Sequence, residues 1–206
     1  MYKIIQTDLM LYRVTPKYID ALQDEANGGD SRVYNVRAGK EHRPFVGVIT
    51  VRNGQKYCVP LSKYKPKYKV LPDNETLMRI YIDGKIVGAL QFSRMIPVED
   101  AQLRPLDMAA HPHDTKNQKA EKELRVKETI WCHQHQKEIT DKCTALYDLY
   151  ISNIPFRGRQ YCLNFPEMEN VCRKYNKTHI PQHHKQEKDN DCYQHNSNDS
   201  GDNVTT

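Results

Sequence analysis

No stretch of the chain approaches the ~20 consecutive apolar residues that a membrane helix needs. The opening residues, MYKIIQTDLMLYRV, lack the charged, apolar and small-residue succession of a secretory leader. A membrane partner is therefore not expected, and the cytoplasm is the expected compartment. Also missing is any C-x-x-C pair: Cys58, Cys132, Cys143, Cys162, Cys172 and Cys192 form no compact framework, which favours reduced thiols over a disulfide scaffold. Nine histidines do not make a metal centre here. Cys132-His133-x-His135 spreads over different helix faces, and His183-His184 lies in a polar segment where metal binding is adventitious. Neither a metal nor another cofactor is expected.

Two common hydrolytic layouts are missing as well. There is no G-x-S-x-G elbow, and Ser62 stands beside lysines rather than a His-Asp pair. No glycine-rich phosphate loop is present, and acids are scarce wherever the apolar scaffold is clearest, which speaks against a paired-carboxylate glycosidase. That scarcity is itself the strongest compositional signal. Between residues 32 and 69, ten cations (Arg32, Arg37, Lys40, Arg43, Arg52, Lys56, Lys63, Lys65, Lys67 and Lys69) face one acid, Glu41. This segment carries +9 in a chain of net +5, leaving −4 for the rest. Clustered positive charge interleaved with Tyr34, Tyr57, Tyr64 and Tyr68 fits a polyanion with stackable bases better than a solvated face or an anionic membrane.

What is present reads as one domain of about 176 residues followed by a polar tail. Hydrophobic residues make up 38% of the 206, and from Lys177 onward almost none are aliphatic, so residues 177–206 are expected to stay disordered. Partly alternating residues over Lys3 to Val14 predict a first strand; Thr15-Pro16 then reads as the cap and first position of a short helix. Residues 30–44 read as a basic loop. Phe45 to Val51 and Tyr57 to Leu61 read as strands joined at Asn53-Gly54, and Leu77 to Ile82 and Lys85 to Phe92 as a second hairpin about Asp83-Gly84. Ser62 to Lys69, an alternation of cations and rings, is expected to leave the first hairpin as a loop. Met95 to Val98, Leu103 and Leu106 keep the chain against the sheet. A long helix is predicted over Lys116 to about Lys142, a shorter one over Cys143 to Ser152, and a third after Pro166. The fold class is α+β, an antiparallel sheet with several helices packed on it.

RNA can be cut by its own 2′-OH, so an enzyme without a metal needs only alignment, charge stabilisation and proton transfer. Ser62, Lys63, Lys65, Tyr34 and Arg43 offer those groups. Arginine stabilises charge, whereas a lysine crowded by other cations yields its proton more readily, which makes Lys63 the proton-transfer candidate. Arg32, Arg37, Lys40, Tyr64, Lys67 and Lys69 are the expected RNA-binding residues. The competing reading is a non-catalytic RNA-binding protein using the same basic loops. A DNA-binding regulator ranks last for want of a helix-turn-helix signal.

Three short motifs in order carry a resemblance. Phe45-Val46-Gly47-Val48, Gly54-Gln55-Lys56-Tyr57 and Pro60-Leu61-Ser62 with Lys65 make up the first; Met95-Ile96-Pro97-Val98 with Leu103, Leu106 and Asp107 the second; and Cys162-Leu163-Asn164-Phe165 ahead of Arg173-Lys174-Tyr175 the third. Together they resemble the ToxN/AbiQ/CptN/TenpN family of type III toxin–antitoxin endoribonucleases over most of residues 30–176. The resemblance implies a strongly twisted antiparallel sheet, a partial barrel similar to the Kid and MazF toxins. It implies a metal-independent endoribonuclease that leaves 2′,3′-cyclic phosphate and 5′-OH ends on cellular and phage RNA and halts growth during phage infection. The implied inhibitor is a repeated pseudoknot RNA, cut from its precursor by the toxin and bound in a closed 3:3 ring. The family's hydroxyl falls on Ser62, its loop lysine on Lys65, its basic residue before the first strand on Arg43 and its upstream tyrosine on Tyr34. Lys63 stands where some relatives carry a second hydroxyl.

Overall fold

A computed structural model describes residues 9–24, 32–33 and 43–179 of the chain. Among these, seven strands form one open antiparallel sheet, β1 (Met10–Val14), β2 (Phe45–Thr50), β3 (Lys56–Lys63), β4 (Leu77–Ile82), β5 (Lys85–Gln91), β6 (Ile96–Pro97) and β7 (Leu103–Pro105). Their order is β4-β5-β3-β2-β1-β7, with β6 branching from β3. The α+β class is as expected, and the sheet does not close into a barrel: β4 and β7 are its two ends. The predicted first strand is described only from Met10, its earlier residues lying outside the described segments.

The two turns differ in a way their dipeptides conceal. Asp83 and Gly84 both have positive φ, 50° and 72°, and Ile82 pairs directly with Lys85, so this is the two-residue hairpin expected. At Asn53-Gly54 only Gly54 is left-handed, at φ 83°. Val51 N–H donates to Gln55 O and Gly54 N–H donates to Val51 O, so the turn spans three residues between Val51 and Gln55 instead of two. Asn53 is held from outside the hairpin: its Nδ2 donates to Tyr147 Oη at 2.7 Å and to Glu169 at 3.3 Å. A side chain recruited by tertiary contacts leaves the turn type to the packing.

Helix α1 (Pro16–Asp24) begins as predicted, with Thr15 O accepting from Tyr18 and Ile19 N–H groups. The long helix does not run to Lys142. It divides at His135 into α2 (Lys116–Gln134) and α3 (Gln136–Ile151), and α4 (Phe165–His179) closes the described chain. His135 leaves helical geometry at φ −107°, ψ 16° while its ring stacks on Trp131 at 4.0 Å and its Nδ1 lies 2.8 Å from Trp131 O. The helical hydrogen bonds on either side persist, from His135 N–H to Trp131 O and from Ile139 N–H to His135 O, so the chain bends with little loss.

Packing around β3 fixes the rest. Tyr57, wholly buried, lies 5.8 Å from the Tyr147 ring of α3 and 6.0 Å from the Phe165 ring of α4, and its hydroxyl donates to Glu169 at 2.9 Å. Tyr18 of α1 packs at a tilt against Tyr175 of α4, ring centroids 5.0 Å apart, and donates to Pro97 O of β6 at 2.6 Å. Cys58, Cys132, Cys143, Cys162 and Cys172 are free thiols buried in this core; burial pushes the Cys132 thiol up to about 12 and the Cys162 thiol up to about 11. No helix among the described residues is long and apolar enough to cross a membrane.

Candidate active site

Strand β3 runs two residues further than its apolar run, because β5 supplies a partner on its far side. Ser62 pairs with Ala89 and Lys63 with Gly88, so the expected loop residues Ser62 and Lys63 belong to a central strand. Alternation then sends their side chains to opposite faces. Ser62 Oγ, almost fully buried, lies 2.5 Å from Tyr68 Oη and donates to Ala89 O at 3.3 Å. Tyr68 comes from the 3₁₀ turn Pro66–Lys69 that folds back over the strand, and Gln91 Nε2 donates to its hydroxyl at 3.0 Å. A serine between two tyrosine- and carbonyl-type oxygens has its hydroxyl direction fixed in advance.

Arg43 reaches this end of the sheet by register. Phe45 is opposite Pro60, and Leu61 N–H donates to Pro44 O at 3.0 Å, so one step further puts Arg43 opposite Ser62. The row continues through Ala89 to Arg79 of β4, which is opposite Ala89. Residues directly opposite share a face, so Arg43, Ser62 and Arg79 form one line across the sheet. Arg79 is anchored by Asp73 at 2.9 Å and donates to Tyr68 O at 3.4 Å. Neither Arg79 nor Gln91 was expected at a site, and Tyr68, read from the sequence as a ring of the stackable surface, is instead the buried partner of Ser62. The available signal was the polar interruption of apolar strands at Arg79 and Gln91.

On the other face, Lys63 Nζ pairs with Glu121 Oε1 of α2 at 2.9 Å, and the ammonium holds that carboxyl below its ordinary range. Arg125 links Glu121, at 3.1 Å, to the fully buried Glu128, at 2.6 Å. Of the clustered cations, Arg52 and Lys56 are likewise paired, with Asp148 and Asp100. Lys65, Lys67 and Lys69 are exposed and carry no ion pair among the described residues, which leaves positive charge in the segment next to Ser62.

The tyrosines divide unexpectedly. Tyr57 and Tyr68 are core residues at 0% exposure, so the stackable surface read from the sequence contracts to Tyr64, 40% exposed, among the described residues. Tyr34, Arg37 and Lys40 lie outside the described residues. Arg32 is described and spends its guanidinium on the chain itself, donating to Cys162 O at 2.6 Å and Gln160 O at 3.2 Å. Among the described residues, no three His, Cys, Asp or Glu side chains converge as metal ligands.

Residues 10–173 match the family model described as toxin ToxN of the type III toxin–antitoxin system. The chain belongs to this family. The match spans the sheet, all four helices but the end of the last, and the whole of the Arg43–Ser62 row. The chain is 25% identical to the endoribonuclease ToxN of Bacillus thuringiensis subsp. kurstaki over 170 residues, covering 80% of this chain and 82% of that protein. It is 28% identical to the endoribonuclease AbiQ of Lactococcus lactis subsp. lactis over 153 residues, 70% of this chain and 77% of AbiQ. Its fold resembles the solved structure of AbiQ, a lactococcal anti-phage endoribonuclease of the type III system, with TM-score 0.69, 24% identity, and coverage of 83% of this chain and 99% of that one. A structure concerned with selective toxin inhibition by a non-coding RNA pseudoknot matches with TM-score 0.67 at 24% identity over the same shares.

Proposed function

We propose that this ToxN-family chain is a metal-independent endoribonuclease toxin that cuts RNA by attack of the 2′-OH on the adjacent phosphorus, leaving 2′,3′-cyclic phosphate and 5′-OH ends. The observation that carries the reading is the Ser62 hydroxyl, oriented by Tyr68 and Ala89 O and facing Arg43 across the strand pair. A phosphate set against this row receives charge from Arg43 and, when the single Ser62 proton turns from its long 3.3 Å bond to Ala89 O toward the ligand, a hydrogen bond from Ser62, the two contributions that a pentacoordinate oxyanion needs. Lys65, exposed and without an ion-pair partner among the described residues, is the amine that would exchange a proton with the 2′-OH or the leaving 5′-oxygen. Lys63, held by Glu121, contributes charge beside the same strand end, and Tyr34 completes the set by family likeness. Tyr64, Lys67 and Lys69 carry the flanking nucleotides, with Arg37 and Lys40 from the preceding segment, while Arg32, whose Nη1 is held by Cys162 O and Gln160 O, serves the fold.

Kinship with ToxN and AbiQ supports the further reading. The partner is a repeated pseudoknot RNA antitoxin, processed and bound by the toxin in a 3:3 ring, and the toxin acts in the cytoplasm on cellular and phage RNA during abortive infection. The test is cleavage of RNA by purified protein in excess EDTA, with the new ends analysed chemically. Wild type is expected to cut and to leave cyclic phosphate, and Ser62→Ala and Arg43→Ala are each expected to abolish both cutting and growth arrest. Arrest by both variants removes the proposed site, RNA bound but left intact by the wild type makes it a binding protein, and loss of cutting in EDTA makes it a metal nuclease.

A further inference from the structure

Two arginines at the outer edge of the sheet are placed side by side with nothing to separate their charge. Arg13 of β1 is directly opposite Arg104 of β7. Residues so paired have Cβ atoms roughly 5 Å apart on one face, and like charges there repel. No described carboxylate lies within ion-pair distance of either guanidinium. Arg104 is exposed and gives one nitrogen, Nη1, to Leu103 O at 2.7 Å and Ala101 O at 3.1 Å, which steadies the side chain and leaves its other nitrogens open. Arg13 is half-buried, and its Nε is one of two buried side-chain nitrogen or oxygen atoms without a partner among the described residues. That Nε is closed to solvent, so a ligand meets the outer nitrogens; two guanidiniums held side by side without a carboxylate are relieved of their repulsion by an anion that both share.

The register locates the pair. Tyr12 is opposite Phe45, so Arg13 falls beside Pro44 and Val14 beside Arg43. Arg13 and Arg104 therefore occupy the row next to Arg43 and Ser62, two and three strands from Ser62, or about 10 and 14 Å at the usual strand spacing. They project on the face that also carries Lys63, opposite Ser62, so a chain passing over the strand ends at this edge meets cations from both faces.

We infer that Arg13 and Arg104 form a phosphodiester subsite that holds single-stranded RNA where it leaves the Arg43–Ser62 row. The inference rests on the RNA-cleaving reading, but its test does not need cleavage. Binding of a 2′-O-methyl single-stranded oligonucleotide, which cannot be cut by 2′-OH attack, is measured across a salt series for the wild type, Arg104→Gln, Arg13→Gln and a remote control, Lys119→Gln. Arg104→Gln is expected to weaken binding roughly fivefold or more near 0.1 M salt. It should also flatten the log–log salt slope by about 0.7, the loss of one single-strand phosphate contact. Arg104→Lys should keep the slope and lose part of the affinity. Exposed Arg104 keeps the test decisive even if Arg13→Gln unfolds. A slope and affinity for Arg104→Gln equal to those of Lys119→Gln overturn the subsite while leaving the RNA reading intact. Failure of the wild type to bind overturns both.

Discussion

Removing one oxygen from Tyr68 separates its packing from its hydrogen bonds. Tyr68→Phe keeps the buried ring volume but leaves Gln91 Nε2 without its acceptor and Ser62 Oγ with Ala89 O as its one remaining partner. The cost to stability is about 1–2 kcal/mol, read by urea unfolding, and loss of the fixed serine rotamer lowers RNA cleavage by roughly 10- to 100-fold. Gly88 is the second residue that Ser62 depends on. A Cβ there falls 2.6 Å from Ser62 O, a backbone atom of the strand it pairs with. Gly88→Ala therefore costs about 1–3 kcal/mol and displaces the end of β3, so cleavage should fall along with the urea midpoint. These dependencies were only half legible in the sequence. Alternation of lysine and tyrosine over Ser62 to Lys69 identifies the charges, but not which rings turn inward. Tyr68 is claimed by Ser62 and Gln91, and Tyr57 by Glu169, through contacts 6 to 112 residues apart in sequence.

At the scale of elements, what local chemistry dictates was readable and what tertiary contact dictates was not. The Asp83-Gly84 hairpin and the start of α1 follow from backbone preference. The division of α2 from α3 at His135 does not, since no proline or glycine marks it and the Trp131 ring supplies the reason. The extension of β3 through Lys63 depends on β5, a strand 20 or more residues away. Helix α2 also carries an element-scale device: Glu128 is fully buried against Gly88, its Oε1 unpartnered and its Oε2 held by Arg125. Burial pushes its carboxyl above the ordinary range, and the Arg125 guanidinium only partly opposes this. A raised carboxyl contributes stability that is complete below its unfolded pKa and is lost as pH rises through the folded value. Glu128→Gln, which mimics the protonated form, is therefore expected to gain stability relative to the wild type between pH 4 and pH 8. Urea titrations at both pH values check the sign; a difference that shrinks with rising pH removes the argument.

For the whole molecule, the acidic residues 180–206 follow the segment that builds the core, whereas the basic cluster of residues 32–69 runs through its centre. The buried apolar cluster is drawn from Leu9 to Cys172, and α4 continues through His179, three residues into the segment read as tail. Residues 180–206 hold Lys185 and Lys188 against Glu187, Asp189, Asp191, Asp199 and Asp202, a net −3. Ending the chain after His179 therefore raises the net charge from +5 to +8 without touching the described core. Long-range attraction between a protein and a polyanion grows with that charge and is screened over about 10 Å at 0.1 M salt. The truncated chain is expected to melt within a degree or two of the full one and to bind single-stranded RNA more tightly at low salt, with the two affinities converging as salt rises. A lower melting temperature places part of the segment in the folded domain. An affinity that falls at every salt concentration makes the segment a contributor to binding in place of an acidic counterweight to the lysines beside Ser62.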